Sequence, residues 1–209
     1  ALFRDPEEFI ADEVKRGAKT VIAVGNDLTI RKVIDSVVDR GVTIAIIPLG
    51  TANNVIADMI GVPIGAEACD TLSARIIEKL DVGVVNGQRF IHTVNIECNS
   101  SMRVACDGMF DIIVPRKTMS MMRNLALETD IIASSNPTDG KLEFVIPKSR
   151  RSWFKKKAEP TRIFLKEAVI TADKPMKLSV DGHAQEAEQV HFRIIPQHLK
   201  LITGKNRKF

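Results

Sequence analysis

Apolar residues along this chain change their spacing several times, and the changes mark its elements. Val21, Ile22, Ala23 and Val24 form an almost unbroken apolar run, the pattern of a strand buried on both faces. Gly25, Asn26 and Asp27 break the run with residues that suit turns and positive φ. Ile30, Val33, Ile34, Val37 and Val38 then recur at helical spacing until Gly41. Residues 43–47 read as a second buried strand, and residues 48–54 as a second polar, glycine-bearing turn. Residues 20–57 therefore predict strand, turn, helix, strand and turn. A connection of this kind makes the strands parallel. Both turns then leave carboxyl ends of strands, where open α/β sheets bind ligands, so the pattern points to a nucleotide site.

The flanking pattern extends this reading. Asp5-Pro6-Glu7-Glu8 is a helix start, with a capping acid and proline in the first turn, and that helix runs to Gly17. Residues 56–60 predict a short helix stopped by Gly61-Val62-Pro63, and residues 66–80 another helix. Residues 81–91 read as a hairpin around Asn86-Gly87. Helical spacing fades after that. Met176, Leu178 and Val180 alternate, as do Val190, Phe192 and Ile194, which suits antiparallel strands with one buried face. Cys106-Asp107-Gly108 reads as a hairpin turn and residues 119–127 as a short helix. The domain boundary falls near Leu80.

Composition narrows the class without naming an activity. The chain has 209 residues, 44% of them hydrophobic, and no apolar run approaches the roughly 20 residues of a membrane span. Its three cysteines, Cys69, Cys98 and Cys106, lack metal-ligand spacing and read as reduced thiols, which suits a cytoplasmic location. A net charge of +4 fits anionic partners such as nucleotides or acidic membrane surfaces, and does not single out nucleic acid.

The two turns also carry a resemblance. Val24-Gly25-Asn26-Asp27-Leu28-Thr29 is similar to the GGDGT motif of the diacylglycerol kinase catalytic domain family, and residues 46–63 resemble that family's IPLGTGNDFARxLGIP. GGDGT is shared with NAD kinases, whereas the longer second motif favours lipid kinases. Residues 81–90 resemble the family's DLGxVNGxxF, residues 136–146 its NPxDGxLDVxIV, and Val180-Asp181-Gly182-His183 its VDGE. The chain departs from the family at Asn26, Leu28, Asn54, Glu97 and Asn99. Pattern and resemblance together imply an α/β chain: a three-layer α/β nucleotide-binding domain over residues 1–80, then an all-β sandwich over residues 81–209. Its opening on a helix reads as an N-terminal portion of the first domain missing.

The resemblance implies an ATP- and Mg²⁺-dependent lipid kinase that phosphorylates a lipid hydroxyl. Gly25, Asp27, Thr29, Gly50, Thr51 and Asn53 would hold the nucleotide, and Asp27 the metal. For Asp27 the alternative is an Asx turn, and for Thr29 and Thr51 a helix cap. Asp181 would accept the hydroxyl proton, although Asp-Gly between strands is also an ordinary hairpin turn. Asp81 stands at the family's domain-junction aspartate, and His183 where the family often has Glu. Arg150, Arg151, Trp153, Lys155 and Lys156 belong to a cationic, aromatic segment suited to a peripheral membrane contact, or to a solvated loop. A homodimer is compatible with the chain. The substitutions in the motifs keep a second reading open, a non-catalytic relative that binds nucleotide or lipid.

Overall fold

A computed structural model describes residues 6–50, 54–129, 132–147 and 159–209. They form two units: Ala1–Leu80 together with Gln197–Phe209, and Asp81–Pro196. The last thirteen residues thus belong to the first unit, not to the 81–209 unit expected from sequence. The reason is a parallel pairing that brings Lys200 beside Thr43 and Leu201 beside Ile44.

In the first unit the elements are α1 (Pro6–Lys15), β1 (Thr20–Gly25), α2 (Asp27–Val37), β2 (Thr43–Pro48), α3 (Val55–Met59), α4 (Ala68–Ala74) and the start of β3 (Ile77–Val85). Strands β1 and β2 are parallel and in register from Thr20 and Thr43 onward. Helix α2 buries Ile30, Ile34 and Val37, one per turn. A short 3₁₀ turn at Val38–Arg40 and Gly41 at φ 68° end it. Helix α2 packs on both strands and α4 on β2. Ile44, Ala45 and Ile46 of β2 are wholly buried, as expected of a strand covered on both faces.

Strand β1 departs from its expectation. Ala23 is buried, but Ile22 and Val24, on the opposite face, are each 50% exposed. Strand β2 has neighbours on both sides, whereas among the described residues β1 pairs only with β2. An edge strand with one face uncovered keeps the apolar run and loses the burial. The helix predicted over residues 66–80 also stops early. Arg75, at φ 51°, caps it, and β3 begins at Ile77.

The second unit is antiparallel. It continues β3 and adds β4 (Gln88–Phe90), β5 (Thr93–Glu97), β6 (Met102–Cys106), β7 (Phe110–Val114), β8 (Ser120–Arg123), β9 (Leu142–Ile146), β10 (Thr161–Leu165), β11 (Glu167–Val180) and most of β12 (His183–Ile202). Strand β8 replaces the short helix expected over residues 119–127, because Met122 and Arg123 pair with Phe144 and Glu143 of β9. The long β11 pairs with β12 on one side. On the other it pairs with β6 at residues 168–172 and with β5 at residues 177–180. A register irregularity between Thr171 and Met176 separates the two halves, so the ladder forks there. Both branches close on one core that includes Val94, Ile96, Val104, Phe144 and Phe192. Phe90 meets Phe192 edge to face at 6.1 Å. Gly83 makes that possible, since a Cβ there would lie 2.3 Å from the Phe90 ring.

Candidate functional site

The first turn is built around a glycine that has to be a glycine. Gly25 ends β1 at φ 151°, and a Cβ on it would lie 2.7 Å from Thr29 Oγ1. Thr29 therefore folds its hydroxyl back over the turn while remaining exposed. Asn26 is the N-cap of α2, and its Oδ1 accepts the Thr29 amide at a long 3.4 Å. Leu28 lies inside α2, outside the positive-φ region, so its branched side chain strains nothing and points out at 49% exposure. Val24 and Leu49 are about as exposed, which gives the turns an apolar surround.

Asp27 links this turn to the second. Its carboxylate accepts the amides of Val55 at 2.8 Å and Ile56 at 3.1 Å, the first N–H groups of α3. A negative group at a helix N-terminus satisfies orphan donors and opposes the helix dipole. The Leu49 amide also donates to the Gly25 carbonyl at 3.1 Å. Gly50 turns at φ 79°, with open space where a Cβ would be, and its carbonyl accepts Asn54 Nδ2 at 2.8 Å. Gly25, Asp27, Thr29 and Gly50 thus lie on two turns tied to each other. Thr51 and Asn53 lie outside the described residues, as do Arg150, Arg151, Trp153, Lys155 and Lys156.

Asp181 belongs to the second unit, in the hairpin between β11 and β12, at φ 45° and followed by Gly182 at φ 93°. Its carboxylate accepts three amides: Ile91 at 3.0 Å, His92 at 3.0 Å and Thr93 at 2.8 Å. Two other hairpins of this unit use the same device. Asp107, before Gly108, accepts the amides of Lys166 at 2.8 Å and Glu167 at 2.7 Å. Asn86, before Gly87, accepts the His191 amide at 2.8 Å and donates to the Gln189 carbonyl at 3.1 Å. Asp81 is fully buried and accepts the Gly140 amide at 2.7 Å, while its own carbonyl accepts Asn124 Nδ2 at 2.8 Å. His183 is exposed.

One polar cluster has no motif to mark it in the sequence. Arg123 and Glu143, each with 3% of the side chain exposed, form an ion pair at 3.1 Å, and Arg162 bonds the other carboxylate oxygen. Arg123 also donates to the carbonyls of Ala126, Leu127 and Ala133. Burial pushes the Arg123 guanidinium below its usual range, Glu143 opposes that shift, and Arg162 adds to it. The available signal was Glu143 itself, a charge in the strand Leu142-Glu143-Phe144-Val145 where all four residues are buried.

A parallel-stranded α/β unit with paired turns at its strand ends, joined in sequence to an antiparallel β unit, defines the class of protein. Residues 4–85 match the model of the diacylglycerol kinase catalytic domain, so the resemblance to that family is shown over this stretch. The diacylglycerol kinase of Bacillus subtilis is 31% identical over 131 residues, which are 59% of this chain and 40% of that protein. A probable lipid kinase YegS-like of Pseudomonas aeruginosa is 33% identical over 90 residues, covering 42% of this chain and 30% of that one. The chain thus spans less than half the length of these curated relatives. A diacylglycerol kinase structure from Bacillus anthracis superimposes with a TM-score of 0.79 at 18% identity, over 98% of this chain and 84% of that one. A second structure from the same organism agrees at 0.79 and 17%. At these identities the likeness is one of fold.

Proposed function

We propose that this chain is a lipid kinase of diacylglycerol kinase type, which moves the γ-phosphate of ATP to a lipid hydroxyl. The observation that carries the reading is the double bond from the Asp27 carboxylate to the start of α3, which joins the two motif-bearing turns into one structure. Gly50, with open space where a Cβ would be, the exposed Thr29 and the first-turn amides of α2 suit a phosphate group. Bound ATP with Mg²⁺ supplies the transferable phosphoryl group and its charge neutralisation. Among the described residues no three acids, histidines or cysteines converge as a metal cage. Mg²⁺ in this reading is held chiefly by the phosphates, with Asp27 the carboxylate nearest the turn.

Asp27 then acts by positioning, since both of its oxygens hold α3. Asp181 is the proton acceptor the resemblance implies. Its three amide donors favour a different role, that of fixing residues 91–93. A lipid substrate at a membrane surface belongs to the same reading. Among the described residues no helix is long and apolar enough to cross a membrane.

The test is incubation with labelled ATP, Mg²⁺ and mixed micelles of diacylglycerol and other hydroxyl lipids. Labelled, solvent-extractable phospholipid is the expected product, and its absence with every lipid removes the kinase reading. One observation favours a second reading, a nucleotide-binding relative without turnover: Asn26 occupies the Thr29 amide that would otherwise face a phosphate. In that case ATP raises the melting temperature and no product forms.

A further inference from the structure

We infer that residues 203–208 are a positioning element of the proposed nucleotide site, acting through α3. The inference rests on the reading of the two turns given above. Helix α3 has five residues, too few to hold itself together, so its place is set by what grips its ends. Asp27 grips the first end. The second end can be accounted for carbonyl by carbonyl. Ala57 O accepts Val62 N at 2.9 Å and Asp58 O accepts Gly61 N at 3.2 Å, both local closures. Met59 O accepts Lys208 N at 2.9 Å and Ile60 O accepts Gly204 N at 2.8 Å. Half of the helix's exit is therefore capped by backbone from the far end of the chain.

Side chains and sterics reinforce the grip. Lys208 Nζ reaches both oxygens of Asp58, at 2.6 and 2.7 Å. Gly61 and Gly204 meet backbone to backbone: a Cβ on Gly204 would lie 1.8 Å from the Gly61 carbonyl oxygen. A Cβ on Gly61 would lie 2.6 Å from the Arg207 amide nitrogen. No larger residue fits either position without moving the segment. Thr203 N bonds Ile76 O at 2.8 Å and Arg207 pairs with Glu78 at 2.9 Å, which anchors the segment to β3 and its approach. The start of α3 is bonded to Asp27 of the first turn, so release of this segment leaves the helix that Asp27 holds gripped at one end alone.

The experiment measures amide exchange along α3 and ATP kinetics in the full chain, for Gly204→Ala, Lys208→Ala and Lys208→Arg. In Gly204→Ala the amides of residues 57–61 should exchange at least roughly tenfold faster, while those of β11 keep their protection. Lys208→Ala should show a smaller change of the same kind, and Lys208→Arg should restore it. KM for ATP should rise in step with the exchange, with kcat less affected. Unchanged exchange in α3 overturns the inference, as does faster exchange with KM unaltered. If the wild-type chain neither uses nor binds ATP, the proposed function fails and the exchange pattern alone decides whether the segment holds α3. Should Gly204→Ala fail to fold, the two Lys208 variants carry the test.

Discussion

Asp27 and Asp181 each stand within two residues of a strand's end, both resemble motif residues, and both are bound by backbone amides. They differ in what those amides belong to. The donors to Asp27 lie 28 and 29 residues away, at the start of the helix that follows the second turn. The carboxylate therefore ties together two turns of one candidate site. The donors to Asp181 lie 88 to 90 residues away, on the segment entering β5. Asn86 and Asp107 make the same kind of bond in two other hairpins of the second unit. A device that recurs at three hairpins of the second unit is a property of hairpins. The bond from Asp27 joins the two motif-bearing turns of the first unit instead.

The comparison can be broken at several points. The largest effect is expected from Glu143→Gln, which leaves Arg123 charged and unpaired in the second unit. Loss of about 3–5 kcal/mol in chemical denaturation is expected. Asp181→Ala should cost about 1–3 kcal/mol by the same measurement, with Asp107→Ala close behind, because each leaves two or three strand amides without an acceptor. The pairing of these two residues breaks if Asp181→Asn abolishes turnover at full stability while Asp107→Asn leaves it intact. Asp27→Asn should lower stability by only about 1 kcal/mol yet remove most of the melting-temperature rise caused by ATP. An equal loss of ATP response in Asp181→Asn would erase the distinction.

The smallest expected effect concerns Cys106. Burial raises its thiol pKa, with Asp107 and Asp111 adding to the shift, so the neutral form is favoured in the folded state. A raised pKa stabilises the fold fully below the ordinary thiol range, and that contribution is lost as pH rises through the raised value. The stability advantage over Cys106→Ala should hold at pH 7 and shrink above roughly pH 8.5. Iodoacetamide should label the exposed Cys69 in the native chain and leave Cys106 unmodified until it unfolds.

Much of the first unit was legible because its signals are local. Helical spacing from Ile30 to Val38, the Gly41 stop and the two glycine-bearing turns all follow from neighbours within a few residues. What was not legible depends on distant partners. The exposure of Ile22 and Val24 follows from which strands flank β1, and periodicity carries no such information. The Met-rich pattern over residues 119–127 suits helix or strand, and pairing with β9 decides for the strand β8. In the site, Gly25, Asp27 and Gly50 were found from their motifs, but the bond from Asp27 to α3 was not. Its donors are backbone amides, which look alike at every position of a sequence. The Arg123–Glu143 pair is hidden for a related reason, since nothing in a sequence shows that two distant charges share one interior, with Arg162 reaching them from the surface.

The division of the chain has a consequence for its synthesis. The second unit is continuous in sequence, whereas the first needs Gln197–Phe209 to complete its sheet and the exit of α3. On a ribosome, domains ordinarily fold in the order in which they emerge. Here the pairing of β2 with β12 and the capping of the α3 exit have to wait for Gln197–Phe209, while Asp81–Pro196 is contiguous and complete once Pro196 is clear.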